Sequence, residues 1–105
     1  MGWSDWWLGW RNWFRPRRLR IELVLYTRQG CHLCEQAWRQ LRQAQRRYGF
    51  TLTTVNVDTD AELEDRYGLQ VPVVTVNGRV RFRGGVNAVL LERLLQAEAD
   101  RRGRP

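Results

Sequence analysis

Lysine is absent from this 105-residue chain, and only two cysteines, one histidine and one methionine occur in it. The basic side is therefore all arginine, 18 residues against 11 acidic ones, for a formal charge of +7. That excess favours anionic partners, whether nucleic acid, an acidic membrane surface or acidic proteins. Two cysteines and one histidine fall short of the four soft ligands of a closed zinc site, so a single chain cannot supply one and only a site shared between two chains would. No apolar run approaches the roughly 18 residues of a membrane span, and the start lacks an aliphatic stretch of signal-peptide type. The expectation is a cytoplasmic protein in a reducing compartment, where a close cysteine pair is more often catalytic or metal-binding than structural. The length also suffices for a core that needs no disulfide network.

Residues 1–20, "MGWSDWWLGWRNWFRPRRLR", differ sharply from the rest of the chain, with five of the six tryptophans and an arginine cluster around Pro16. They read as an appendage. From Ile21 the pattern is regular: "IELVLY" predicts a buried strand, and Cys34 to Tyr48 a helix with apolar positions at Cys34, Ala37, Trp38, Leu41 and Ala44. Gly49 suits its stop. "TLTTVNV" predicts a second strand, and Thr59 with Glu62 has capping-box spacing for a short helix ending near Gly68. "VPVVTV", Asn77-Gly78 and "RVRF" predict a hairpin with a type I′ turn, broken by Gly84-Gly85. A last helix over Asn87 to Ala99 carries Leu90, Leu91, Leu94 and Leu95 as one stripe, capped by Asn87, before a frayed basic tail over 101–105. The order β-α-β-α-β-β-α fits a four-stranded mixed sheet with helices on both faces, because the first two strands need a crossover and the last two a tight turn.

The motif of chemical interest is Cys31-His32-Leu33-Cys34, at the strand-to-helix junction. This spacing puts Cys31 at or just before the helix N-terminus and Cys34 one turn inside, within disulfide reach. Unpaired backbone N–H groups and the positive helix end stabilise a thiolate at Cys31, while the more enclosed Cys34 suits a resolving thiol. His32 adds to that stabilisation if protonated and is otherwise a merely exposed side chain. A redox pair, a metal site shared between chains and two inert thiols all fit the bare motif.

Its context adds more. "LVLYTRQGCHLCEQA", "QVPVVTVNGR" and "FRGGVNAVLLERLL" together resemble a glutaredoxin-like member of the thioredoxin-fold superfamily, over about residues 21–99. The resemblance implies the thioredoxin-like fold and thiol–disulfide exchange, with Cys31 as nucleophile and Cys34 as resolving thiol. It implies a cis Pro72 opposite Cys31, with the Val71 backbone receiving an extended substrate as an added strand. Arg28, Val71, Gly84 and Gly85 resemble the places where glutaredoxins hold glutathione. The acidic residue that should come after the glycines is missing, since Val86, Asn87 and Ala88 stand there. No resident cofactor is expected, and protein disulfides are expected as substrates ahead of glutathione mixed disulfides.

Plotted as a helix, Trp3, Trp6, Trp7, Trp10, Trp13 and Phe14 fall within an arc of about 120°. Such a face packs on the protein itself, joins two copies as a homodimer, or lies in an anionic membrane interface with the arginines meeting headgroups. Nucleic acid ranks behind these, because stacking platforms need cations and aromatics on one face and here they are segregated. The functional expectation is a dithiol oxidoreductase working through a mixed disulfide. The alternative is a non-enzymatic adaptor of the same fold, attached to a membrane or partner through the tryptophan helix.

Overall fold

The computed structural model describes residues 19–103. The tryptophan face, from Trp3 to Phe14, lies outside the described residues. Four strands, β1 (Glu22–Thr27), β2 (Thr51–Asn56), β3 (Val73–Val76) and β4 (Arg79–Arg83), form one sheet in the order β2-β1-β3-β4. β1 runs parallel to β2 and antiparallel to β3, and β3 runs antiparallel to β4. Three helices complete the chain: α1 (His32–Tyr48), α2 (Ala61–Tyr67) and α3 (Ala88–Gly103).

Alternation along β1 decides which helix lies where. Leu23 and Leu25 point one way and are fully buried, in a core shared with Ala37, Leu41 and Ala44 of α1 and Leu91 and Leu95 of α3. Tyr26 points the other way and meets the Tyr67 ring of α2, with centroids 4.7 Å apart. Helices therefore cover both faces, two on one side and one on the other. β3 is buried along its whole length, as a central strand must be. At the hairpin, Asn77 and Gly78 both take positive φ, 50° and 84°, the pair of values that a type I′ turn requires. α1 stops where Gly49 adopts φ 74° and returns its N–H to the Gln45 carbonyl at 2.7 Å.

Several local expectations are corrected. α1 begins at His32, two residues before the first apolar position of its stripe, with Cys31 as its N-cap at the helix N-terminus where the cysteine spacing put it. Trp38 is 44% exposed and does not join the apolar stripe of α1. The cap of α2 is Asp60, whose Oδ1 accepts from the N–H groups of Glu62 and Leu63 at 2.9 and 3.3 Å. Thr59 instead donates its hydroxyl to the Asn56 carbonyl at 2.7 Å, inside a 3₁₀ turn over Val57–Thr59 that succeeds β2. The leucines of α3 divide as well: Leu91 and Leu95 are buried and Leu94 is half-buried, while Leu90 is exposed. α3 continues through Gly103, past the expected end at Ala99, supported by a Gln96–Asp100 bond and an Arg101–Glu98 ion pair. At the other end the core starts at Leu19, whose N–H donates to the Tyr48 carbonyl at 3.2 Å, two residues ahead of the boundary that composition suggested.

Tyr48 ties α1 to α3 by donating to Glu92, which also pairs with Arg47 at 2.7 Å. Burial first, then that bond, pushes the Tyr48 hydroxyl up to about 12. The same bond, more than the Arg47 charge, lowers the Glu92 carboxyl below its ordinary range. A lowered carboxylate stabilises the fold above its unfolded value and loses that contribution as pH falls through the folded one, so this tie holds at neutral pH and weakens in acid.

The division of the α3 leucines has a measurable consequence. Leu95→Ala should lower stability by about 2–5 kcal/mol, and Leu90→Ala should change it by less than about 0.5 kcal/mol. Urea unfolding of the two variants checks this, and equal losses would contradict the packing of α3.

Candidate active site around Cys31 and Cys34

Three chain segments reach the C-terminal end of β1. The loop Arg28–Cys31 leaves that strand and enters α1, closed by a Cys31 N–H to Arg28 carbonyl bond of 3.3 Å. Because Tyr26 pairs with Val73 in the antiparallel ladder, Pro72 stands level with the start of this loop. The Val71–Pro72 peptide is cis, with Pro72 buried and Val71 half-buried. Gly84 comes directly after Arg83, the partner of Val73, and its N–H donates to the Gln70 and Pro72 carbonyls, both at 2.9 Å. The sheet thus gathers Arg28, Cys31, Val71, Pro72, Gly84 and Gly85 at one end.

The two cysteines form a disulfide across a Cα–Cα distance of 5.2 Å. They are not equivalent. Cys31 is half-exposed, has extended backbone and occupies the N-cap, where its sulfur accepts the Cys34 N–H at 3.1 Å. An N-cap normally offers a side-chain oxygen to that orphan donor, and here a sulfur takes the role. Cys34 lies one turn inside α1 and is only 3% exposed. A negative charge on the outer sulfur is therefore met by an amide N–H and by the positive helix end, and the inner sulfur is shielded from solvent. Asn87, expected as a helix cap, does accept the Leu90 N–H at 3.0 Å.

Beside the disulfide lies an open cavity of about 320 Å³, bounded by Arg28, Gly30, both cysteines, Glu35, Trp38 and Thr54. It sits on the α1 face of the sheet, toward the edge strand β2. Trp38, with the Arg42 guanidinium 5.8 Å from its ring centre, forms one wall and is a site residue that the apolar periodicity assigned to the core. Its place four positions after Cys34, on the same side of α1, is the signal that would have found it. Arg28 is held by Asp58 of the 3₁₀ turn at 2.9 Å and by the Gly68 carbonyl at 3.0 Å. The bond to Asp58, above all else, raises the Arg28 guanidinium above its usual value. Among the described residues, no three histidine, cysteine, aspartate or glutamate side chains gather as metal ligands would. None of the described helices is long and apolar enough to cross a membrane.

A βαβ-αββα chain with a mixed four-stranded sheet, a Cys-x-x-Cys at the first strand-to-helix junction and a proline level with it defines a thioredoxin-fold protein of redox type. The family model of the glutaredoxin-like domain (DUF836) matches residues 22–96, and the chain belongs to that family. The "Uncharacterized protein Rv0508" of Mycobacterium tuberculosis is 34% identical over 65 residues, which cover 57% of this chain and 67% of the relative. Among solved structures, protein XcR50 from X. campestris is 39% identical with a TM-score of 0.60, covering 71% of this chain and 96% of its own. Protein Ne2328 from Nitrosomonas europaea is 28% identical with a TM-score of 0.64, covering 74% and 94%. A mutant thioredoxin from Halobacterium salinarum, at 17% identity and a TM-score of 0.59 over 75% of this chain and 74% of its own, shares the fold.

Proposed function

We propose that this protein is a thiol–disulfide oxidoreductase in which Cys31 attacks and Cys34 resolves. The observation that carries this reading is the asymmetry of the pair: the half-exposed Cys31 sulfur caps α1 and accepts the Cys34 N–H, with Cys34 buried behind it.

In the reductive direction the Cys31 thiolate attacks one sulfur of a substrate disulfide. The substrate S–S bond breaks, the departing thiolate takes a proton from water, and a mixed disulfide remains on Cys31. Cys34 gives up its proton to solvent and attacks the Cys31 sulfur, so the mixed disulfide breaks and the second substrate thiol leaves. The two electrons gained by the substrate come from the cysteine pair, which ends as the Cys31–Cys34 disulfide. Written backwards, the same steps oxidise a dithiol.

Protein disulfides are the favoured substrates. Leu33, between the cysteines, is 52% exposed, and Leu69, two residues before Val71, is 100% exposed. Both are apolar side chains on segments that reach the site, suited to the neighbours of a cysteine in an unfolded or extended chain. The Val71 backbone is the edge along which such a chain is laid, with Pro72, Gly84 and Gly85 shaping the groove. Glutathione is served less well: Asn87 has its side chain committed to the cap, and Val86, Asn87 and Ala88, directly after Gly85, offer no carboxylate to meet the ammonium of a γ-glutamyl group.

The test is stoichiometric. Reduced protein mixed with excess hydroxyethyl disulfide should release two equivalents of thiol per chain and finish with Cys31 and Cys34 joined. Release of none, or recovery of both cysteines as separate mixed disulfides, would contradict the dithiol mechanism.

A further inference from the structure

Among the described residues, Arg28 is the one guanidinium lining the cavity that exposes the cysteines, and its hydrogen-bonding edge is already occupied. Nε lies 3.1 and 3.3 Å from the two Asp58 carboxylate oxygens, and Nη2 lies 2.9 Å from Oδ1. Nη1 donates to the Gly68 carbonyl at 3.0 Å. The backbone that carries the carboxylate is held in turn, because the Asp58 N–H donates to Asn56 Oδ1 at 2.9 Å within the 3₁₀ turn. The Nε/Nη2 edge is the fork that matches a carboxylate in two parallel bonds, and Asp58 fills it from inside the protein.

We propose that Asp58 is a specificity-determining residue that withholds Arg28 from disulfides carrying a carboxylate near the scissile bond, leaving the site to uncharged disulfides. The inference rests on the exchange mechanism proposed above and names the substrates that mechanism disfavours. Without Asp58, Arg28 would present an open fork to the cavity beside Cys31, with its charge opposed by Glu35 on the cavity wall and by the Glu64 charge, and an open fork of this kind steers and orients a carboxylate. With Asp58, the Arg28 charge is neutralised and the fork is closed. A carboxylate-bearing disulfide must then displace Asp58 or do without the contact. Asp58 reaches no reacting atom and acts through Arg28.

Two disulfides of similar length isolate the effect. Dithiodipropionate carries a carboxylate on each arm, and hydroxyethyl disulfide carries none. For reduced wild-type protein and for Asp58→Asn, the rate of Cys31 consumption by each is measured and their ratio taken. The side chains of Arg28 and Asp58 are 33% and 41% exposed, so the contribution of this pair is screened. The anionic-to-neutral ratio should accordingly rise about two- to fivefold in Asp58→Asn at low salt. Raised salt should shrink the gain, and Arg28→Gln combined with Asp58→Asn should remove it. Asp58→Ser provides a second variant, and urea unfolding confirms that each is folded. A ratio unchanged in both single variants, or one that rises equally without Arg28, overturns the proposal while the exchange mechanism stands. If wild-type protein attacks neither disulfide, the exchange mechanism fails and this inference falls with it.

Discussion

Cys31→Ser should lower the rate of disulfide reduction by at least about a thousandfold, to the level of the reaction without protein. Serine keeps the cap, since its oxygen can accept the Cys34 N–H as the sulfur does, so the helix start and the fold are retained. What disappears is the one sulfur that is both accessible and stabilised as an anion. Cys34 cannot take over, because it is 3% exposed, on the buried face of α1. A folded Cys31→Ser protein that kept a tenth of wild-type turnover would require a nucleophile elsewhere. With only two cysteines in the chain, that nucleophile could only be Cys34.

The second large effect is selective alkylation. In the reduced protein at mildly acidic pH, iodoacetamide should modify Cys31 about ten- to a hundredfold faster than Cys34. Ionisation and access act in the same direction here. The Cys31 sulfur receives an amide hydrogen bond and faces the positive end of a 17-residue helix, and it is also the half-exposed member of the pair. Peptide mapping after brief treatment measures the two rates in one sample. Equal rates would show that the two sulfurs share one environment in the reduced state.

Much of this was legible in the sequence, for physical reasons that differ by element. β1 and β3 are apolar runs because both lie in the middle of the sheet, and the Asn77-Gly78 turn is legible because few other pairs accept positive φ twice. The cysteine pair was legible because its chemistry depends on local geometry, an N-cap and the turn after it. Features that depend on distant contacts were not. Arg28 read as a residue placed to hold part of a substrate, but its partner Asp58 is 30 residues away, and nothing near either residue signals the pairing. Trp38 and Leu90 have the spacing of buried positions, yet their flanks of α1 and α3 are not covered by another described element. Asp60 displaced Thr59 as the cap of α2 because a 3₁₀ turn captures the threonine hydroxyl first, and a spacing rule does not register that turn.

The central claim, that exchange begins at Cys31, is tested most directly with Cys34→Ser. Without its resolving thiol, this variant should stop at the mixed disulfide when treated with hydroxyethyl disulfide. Intact mass and then peptide mapping should find one hydroxyethylthio adduct, on Cys31, formed at close to the wild-type rate of first attack. A Cys34→Ser protein that gains no adduct, while Cys31→Ser gains one on Cys34, would contradict the account.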